Sequence, residues 1–422
     1  MVIVENQKQF SEFIAQFKKS DSIIIPVQLD ESKHPSETEL CILYVKIIDS
    51  TEYILPFNHS EALNLPLVNL YKLHSKMRKY TYNKKQLNQL VSLENVIDVN
   101  LQHYIMYNQP LEVEDITTQA HKYFNYKYYN VGNVNKIIPI LKHLEYCRKL
   151  VDRLERYTTL PVHTSYNNDV IDVLSYIEKN GIYTINGMKY TEYNPYTSTG
   201  RPSNRFGGVN YAALNKKDGT REQFISRFGK DGVLVEMDYD AYHLRLIADV
   251  VGYDFPEGSV HEYLGAHYGV SYDESKVMSF KYLYGGIPNK IAKEIPFFGK
   301  VNDYIAQLWI DQKGSDFIKS YIYSKKIFKD NLTDMNKNKL FNYIIQNLET
   351  EQNMLTLSKL IPILDNYRSK LVLYNYDAFL FDVDLSDGSD FINNIRRIIE
   401  VSGKFPVKIS RGINYNNMER IL

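Results

Sequence analysis

The sequence predicts a mixed α/β (α+β) protein in two domains, residues 1–157 and 158–422. Three observations carry that expectation. Short apolar runs rich in β-branched residues alternate with stretches of helical spacing, as where Gly232-Val-Leu-Val-Glu-Met-Asp238-Tyr-Asp is followed by Tyr242-His-Leu-Arg-Leu-Ile-Ala; this is the pattern of buried strands joined to helices. In the stretch from Leu371 to Val383, apolar runs flank a polar tip, which reads as a hairpin with a tight turn at 375–377. A long helical pattern ends near residue 157, and a separate amphipathic helix from Asp169 stops at Gly181.

With 422 residues the chain can bury a sizeable core in each domain. Its 50 basic and 50 acidic residues argue against a simple basic nucleic-acid binder, but not against positive charge gathered in one cleft. The two cysteines, Cys41 and Cys147, form neither a disulfide framework nor a Cys-rich metal site, which fits a reducing compartment. The N-terminus lacks a signal-peptide pattern, and no apolar run is long enough to cross a membrane. The expected location is cytoplasmic.

In the first domain, residues 9–18 read as a helix with Phe10, Phe13, Ile14 and Phe17 on one face. Strands are expected at 22–27, 41–48 and 53–57, and helices at 85–91, 96–106 and 134–157. In the second domain, Asp238 falls at the end of a strand. A carboxylate held there by a rigid element suits a metal ligand, and a helix cap is the competing reading. Lys276, Phe280 and Tyr284 are four residues apart and share one helix face. Such a face can neutralise phosphate charge and stack on a base; a core face under a snorkelling lysine is the alternative.

In order and spacing these elements resemble family A DNA polymerases, the bacterial polymerase I family, over most of residues 80–422. Asp238-Tyr239-Asp240-Ala-Tyr-His243-Leu-Arg245 resembles that family's Asp-Tyr-Ser-Gln-Ile-Glu-Leu-Arg motif A. The segment Lys276 to Gly285 resembles the fingers helix Arg-x-x-x-Lys-x-x-x-Phe-x-x-x-Tyr-Gly, with Tyr272 in place of the Arg that clamps the β and γ phosphates. The stretch around Asp377 resembles motif C, Val-His-Asp-Glu, with Tyr376 for His and Ala378 for Glu. Thr199-Gly-Arg201-Pro-Ser resembles Thr-Gly-Arg-Leu-Ser, Asn210 matches the first Asn of a Pro-Asn-Leu-Gln-Asn element, and Arg221 matches an Arg-x-x-Phe. Asn342 and Gln346 match an Asn-x-x-x-Gln pair, and Tyr415 takes the place of a C-terminal Trp.

The resemblance implies a right-hand polymerase: a palm with an antiparallel sheet, and helical fingers at about 250–300. It implies two Mg²⁺ ions, with Mn²⁺ as an alternative, held by Asp238, Asp377 and the backbone carbonyl of Tyr239. Lys276 would assist catalysis, while Tyr239, His243, Phe280, Tyr284 and Tyr272 would meet the nucleotide. Arg201, Asn210, Arg221, Arg245, Asn342 and Gln346 would contact DNA. The implied partners are primer-template DNA, dNTPs and a processivity protein. His243 stands where the family's Glu excludes ribonucleotides. Only residues 183–198 replace a thumb, so most of the thumb is expected to be missing, with weak, salt-sensitive DNA binding.

The first domain resembles the family's RNase H-like 3′–5′ exonuclease domain, best at Asp98-Val-Asn-Leu-Gln-His-Tyr-Ile-Met. Its metal-ligand places fall at Pro26, Gln28, Gln86 or Leu87, and Leu150, which predicts a degenerate domain without proofreading activity. Asp30 and Glu31 read as solvated loop charges. Two other readings stay open: an inactive replication scaffold, and a polymerase or primase that incorporates ribonucleotides. Small size, neutral charge and AT-biased composition suggest a bacteriophage or another mobile replicon.

Overall fold

The structure is a computed structural model that describes residues 1–31, 33–113, 140–204, 214–215, 218–312, 314–331 and 335–421. It divides into two compact units, Met1–Lys179 and Asn180–Leu422. The junction expected at 157/158 therefore lies inside the first unit.

The first unit runs β1 (Val2–Ile3), α1 (Gln7–Phe17), β2 (Ser22–Gln28), β3 (Leu40–Ile47), β4 (Glu52–Pro56), β5 (Lys79–Thr81), α2 (Lys84–Leu90), β6 (Val96–Asp98), α3 (Val99–Tyr107), α4 (Ile140–Glu155) and α5 (Val173–Asn180). The strands form one sheet in the order β1-β4-β3-β2-β5-β6. β2 is antiparallel to β3, and β5 is parallel to both β2 and β6. β2 is buried throughout because both faces of the sheet are covered. Ile24 joins a core with Phe10, Phe13 and Phe17 of α1, while Ile23, Ile25 and Val27 join one with Leu144, Cys147, Leu150, Val151 and Leu154 of α4. Residues 134–139 of the expected last helix lie outside the described residues.

The expected helix at 96–106 is corrected. Val96 and Ile97 pair in parallel with Lys79 and Tyr80, so sheet pairing claims the first three residues. Asp98 then ends the strand and caps α3: its Oδ1 accepts from the Leu101 amide at 2.9 Å, and its Oδ2 accepts from the Lys84 amide of α2 at 2.9 Å. One buried carboxylate thus holds two helix starts.

Gln86 donates its side-chain amide to Gln28 Oε1 at 3.1 Å, a neutral amide pair that ties α2 to β2. Glu31 also departs from expectation: desolvation pushes its pKa up to about 8, with backbone bonding to Gln28 opposing and the nearby Asp30 charge adding. The residue keeps part of its surface exposed, and the shift favours the protonated acid over the charge expected of it.

The second unit runs β7 (Ile182–Thr184), β8 (Gly187–Lys189), β9 (Tyr193–Asn194), β10 (Ser203–Asn204), β11 (Gly232–Tyr239), α6 (Tyr242–Val251), α7 (Val260–Tyr268), α8 (Tyr272–Gly285), α9 (Asn289–Glu294), α10 (Pro296–Gln312), β12 (Phe317–Lys319), β13 (Lys326–Phe328), α11 (Lys337–Leu364), β14 (Lys370–Asn375), β15 (Ala378–Asp384), α12 (Gly388–Ile399), β16 (Val407–Gly412) and β17 (Glu419–Arg420). Its main sheet has the order β14-β15-β11-β16-β17 and is antiparallel throughout. Residues of α6, α7, α8, α10 and α11 share one core, around Leu244, Leu264, Leu283, Phe297, Phe298 and Phe341. No helix among the described residues is long and apolar enough to cross a membrane.

Asp98 gives the first unit a pH signature. Desolvation lifts its pKa from 3.8 to about 6, partly offset by the Lys84 and Leu101 amides and the charges of Lys84 and Lys85. A raised carboxyl favours the folded state while protonated, and that contribution is lost as pH rises through the folded value. Asp98→Asn removes the titration. In denaturant titrations, its stability relative to the parent should rise by about 2–3 kcal/mol between about pH 4 and about pH 7. A difference that stays flat with pH would contradict this account.

Candidate active site

β11 is the central strand, so its residues have no register freedom. Asp238 pairs with Ala378 on β15 and with Lys408 on β16. Asn375 pairs with Ala378, which leaves Tyr376 and Asp377 as the two-residue tip of the β14–β15 hairpin. The Tyr239 amide donates to the Asp377 carbonyl at 3.0 Å and carries the ladder onto that tip. Asp238 and Asp377 are therefore diagonal neighbours on adjacent strands. Asp238 is half-buried, and Asp377 keeps exposed surface at the tip. The cap reading of Asp238 does not describe this site, since α6 starts after Ala241, which takes a left-handed conformation with φ of 53° and makes no side-chain cap.

The hairpin tip is held from below by α11. Asn353 Nδ2 donates to the Tyr376 carbonyl at 2.6 Å and to the Tyr374 hydroxyl at 3.1 Å, while its Oδ1 accepts from the Tyr242 hydroxyl at 2.8 Å. Surrounding protein desolvates the Asp377 carboxyl and, with the negative charge of Glu349 next, raises its pKa above the ordinary carboxylate value. Asp238 and Asp377 offer carboxylate oxygens, the donor type that suits a hard divalent cation. The Tyr239 side chain is engaged elsewhere: the ring stacks on Tyr242 at 4.0 Å, and the hydroxyl donates to the Ile399 carbonyl at 2.8 Å.

α8 begins with a capping box between Ser271 and Glu274. Tyr272, Lys276, Phe280 and Tyr284 follow one another at four-residue steps along one face. Lys276 is exposed, and Phe280 and Tyr284 are half-buried and stacked, with centroids 6.2 Å apart. This face meets its neighbours through two hydrogen bonds and the edge of the His243 ring, whose centroid lies 6.0 Å from that of Phe280. His243 Nδ1 hydrogen-bonds the Tyr284 hydroxyl, and Lys408 Nζ donates to the Tyr272 hydroxyl at 2.9 Å. His261 of α7 lies edge-on to Tyr272, with centroids 5.4 Å apart. Desolvation, opposed by Asp240 and reinforced by Lys276, Lys408 and Arg245, lowers its pKa to about 4, so it is neutral at physiological pH.

One residue that the motifs did not mark organises the opposite wall. Glu349 of α11 is buried, its Oε2 accepting from Arg201 Nε at 2.6 Å and lying 3.1 Å from His243 Nε2. Burial alone would raise its pKa, but the charges and hydrogen bonds of His243 and Arg201 outweigh burial and hold it below the usual value. Arg201 also lies over the Tyr376 ring, 5.1 Å from its centroid. Gly200 permits this approach: its φ is +75°, and a Cβ there would stand 2.6 Å from Asn347 Oδ1. A signal for Glu349 exists in the sequence, because Asn342, Gln346, Glu349 and Asn353 form a polar stripe on a helix that is otherwise largely buried.

The remaining expected site residues divide. Arg245 is engaged with the Asp240 carbonyl at 3.0 Å, its carboxylate at 3.3 Å and the Gly258 carbonyl at 3.2 Å. Arg221 is buried, donates to the Leu214 carbonyl at 3.0 Å and lies 4.4 Å over the Tyr415 ring. Both arginines have structural partners inside this unit. Asn342 and Gln346 remain half-buried and bond to each other at 2.7 Å. Asn210 lies outside the described residues.

No family model matches the chain, and no curated protein does. Among solved structures it is similar to the POL domain of Pol1 from M. smegmatis in complex with DNA primer-template and dNTP, with a TM-score of 0.69 at 13% identity. The match covers 98% of this chain and 99% of that one. The chain has the mixed α/β fold of a polymerase domain.

The Glu349 cluster is testable on its own. Glu349→Ala leaves Arg201 and His243 facing each other without the anion between them. Unfolding should become easier by about 3 kcal/mol in denaturant titrations, a value near the low end for breaking buried pairs because Arg201 is partly exposed. A loss below about 1 kcal/mol would place the pair among surface bridges instead.

Proposed function

We propose that the chain is a template-directed DNA polymerase of the family A type, which joins dNTPs to a primer 3′-OH and does not proofread. The observation that carries this reading is the placement of Asp238 and Asp377 as diagonal neighbours on a polymerase-type sheet, across from the α8 face of Lys276, Phe280 and Tyr284. The Gln28–Gln86 amide pair supports the absence of an exonuclease.

Asp238, Asp377 and the Tyr239 carbonyl are the groups that would hold two Mg²⁺ ions. Their chemistry, when bound, is activation of the primer hydroxyl and stabilisation of the pyrophosphate leaving group. The protein's own part is positioning. Lys276 brings positive charge to the triphosphate, Phe280 offers a stacking surface, and Tyr284 closes the face beside the nascent pair. His243 is the sugar gate in this reading. Its imidazole is held on one side by Tyr284 and on the other by Glu349 and Arg201, so it excludes a 2′-hydroxyl by fixed bulk.

Lys408 answers for the clamp arginine that Tyr272 replaces. Its Nζ lies 2.6 Å from Asp240 Oδ1 and 2.9 Å from the Tyr272 hydroxyl, at the phosphate end of the α8 face. A cation delivered from the sheet substitutes for one carried on the helix.

Primer extension in Mg²⁺ tests the whole reading. The parent should extend a primer with dNTPs and discriminate against NTPs, while Asp238→Ala and Asp377→Ala should each lose on the order of 10²–10³-fold or more in rate. No extension by the parent, or unchanged extension by both variants, would overturn it; equal use of NTPs would overturn the sugar-gate assignment.

The Lys408 assignment has its own readout. Lys408→Ala should raise the KM for dNTP about tenfold, equivalent to about 1.4 kcal/mol, with a smaller change in kcat. Lys408→Arg should recover most of the loss. A KM that stays at the parental value in Lys408→Ala would remove Lys408 from the nucleotide site.

A further inference from the structure

The first unit carries a cluster that the polymerase reading leaves unused. Cys41 lies near the start of β3, His59 follows β4, and His143 lies on α4. All three are buried, with relative exposures of 0%, 1% and 1%. Each can offer one ligand atom, and those atoms lie within 4.8 Å of one another. None of the three occupies a place where the nuclease carboxylates would stand.

The surroundings hold the groups in place. The His59 and His143 rings meet edge to face with centroids 5.5 Å apart. Asn64 closes the loop that carries His59: its Oδ1 accepts from the His59 amide at 2.7 Å, and its Nδ2 donates to the His59 carbonyl at 2.9 Å. Cys41 is fixed by β3, whose backbone carbonyl at this residue accepts from the Phe57 and Asn58 amides at 3.0 and 3.1 Å. Its Sγ faces the Asn58 carbonyl at 3.5 Å.

A thiolate and two imidazoles are a soft, nitrogen-rich set. It disfavours Mg²⁺ and Ca²⁺ and suits Zn²⁺. In a tetrahedral zinc site the ligand atoms stand about 3.3–3.6 Å apart, given Zn–N near 2.0 Å and Zn–S near 2.3 Å. Contraction by about an ångström from the present spread reaches that geometry. We propose that Cys41, His59 and His143 form a zinc site that pins α4 to the sheet of the first unit.

Uptake of the ion releases the Cys41 thiol proton to solvent and forms one Zn–S and two Zn–N bonds. The His59 Nδ1 accepts from the Glu61 amide at 3.1 Å, and binding of the ion gives up this contact, directly at Nδ1 or through the tautomer shift that frees Nε2. A fourth tetrahedral position remains for another donor. The three ligands come from separate stretches of the chain, so the ion closes long loops and stabilises the fold around them.

The test uses the full chain and Co²⁺ as a spectroscopic stand-in. Titration of the metal-free protein should show one saturable site with a thiolate-to-cobalt charge-transfer band, abolished by added Zn²⁺. Oxygen donors such as Asp238 and Asp377 cannot produce that band, so binding there is distinguishable. Cys41→Ser should lose the band, and His143→Asn should weaken Co²⁺ binding at least tenfold. Zn²⁺ should raise the thermal unfolding midpoint of the parent and not that of either variant. Native mass spectrometry of the parent should show one retained zinc, a readout that stands even where a variant fails to fold. Absence of the charge-transfer band, or a parent that retains no zinc and whose midpoint is unmoved by it, would overturn the proposal.

Discussion

The register of one central strand governs the second unit. β11 is paired on both sides, so a one-residue slip would turn Met237 and Tyr239 out of the core and reverse Leu234, Glu236 and Asp238 with them. That cost fixes Asp238 against Ala378 and Lys408. It also fixes where the chain leaves the sheet: Ala241 makes the left-handed step, and α6 begins one residue later. His243 is thereby delivered to Tyr284 and Glu349. The positions of Asp238, His243 and Lys408 are all set by the same ladder of backbone hydrogen bonds.

Electrostatics then separate two carboxylates on one wall. Glu349 is enclosed by Arg201 and His243 and is held ionised. Asp377 sits beyond that pairing at the exposed hairpin tip, where partial desolvation and the negative charge of Glu349 raise its pKa. One carboxylate is already neutralised by the protein, while at the other desolvation and the charge of Glu349 outweigh the opposing charges of His243 and Arg201.

Much of this arrangement was legible in the sequence because local chemistry and long-range packing agree there. The apolar run before Asp238, the polar tip at Asp377 and the four-residue steps from Tyr272 to Tyr284 each report a local period, and tertiary structure keeps that period. Val96 to Asp98 failed as a helix because sheet pairing, which leaves no trace in a short window, outweighed the pattern. Lys408 and Glu349 were missed for a related reason: their partners lie 136 residues away at Tyr272 and 148 residues away at Arg201. Arg221 and Arg245 matched DNA-contact positions, but a motif cannot say that a guanidinium already has partners within its own chain.

Tyr376 adopts a φ of 58°, a conformation that disfavours a bulky side chain, yet its ring is the plate beneath Arg201. Relief is a single substitution away, since glycine or asparagine would sit there without strain. Selection for thermal endurance alone would find that substitution and lose the plate. The tip of this hairpin is thus a place where backbone ease and the stacking on Arg201 pull the same codon in opposite directions.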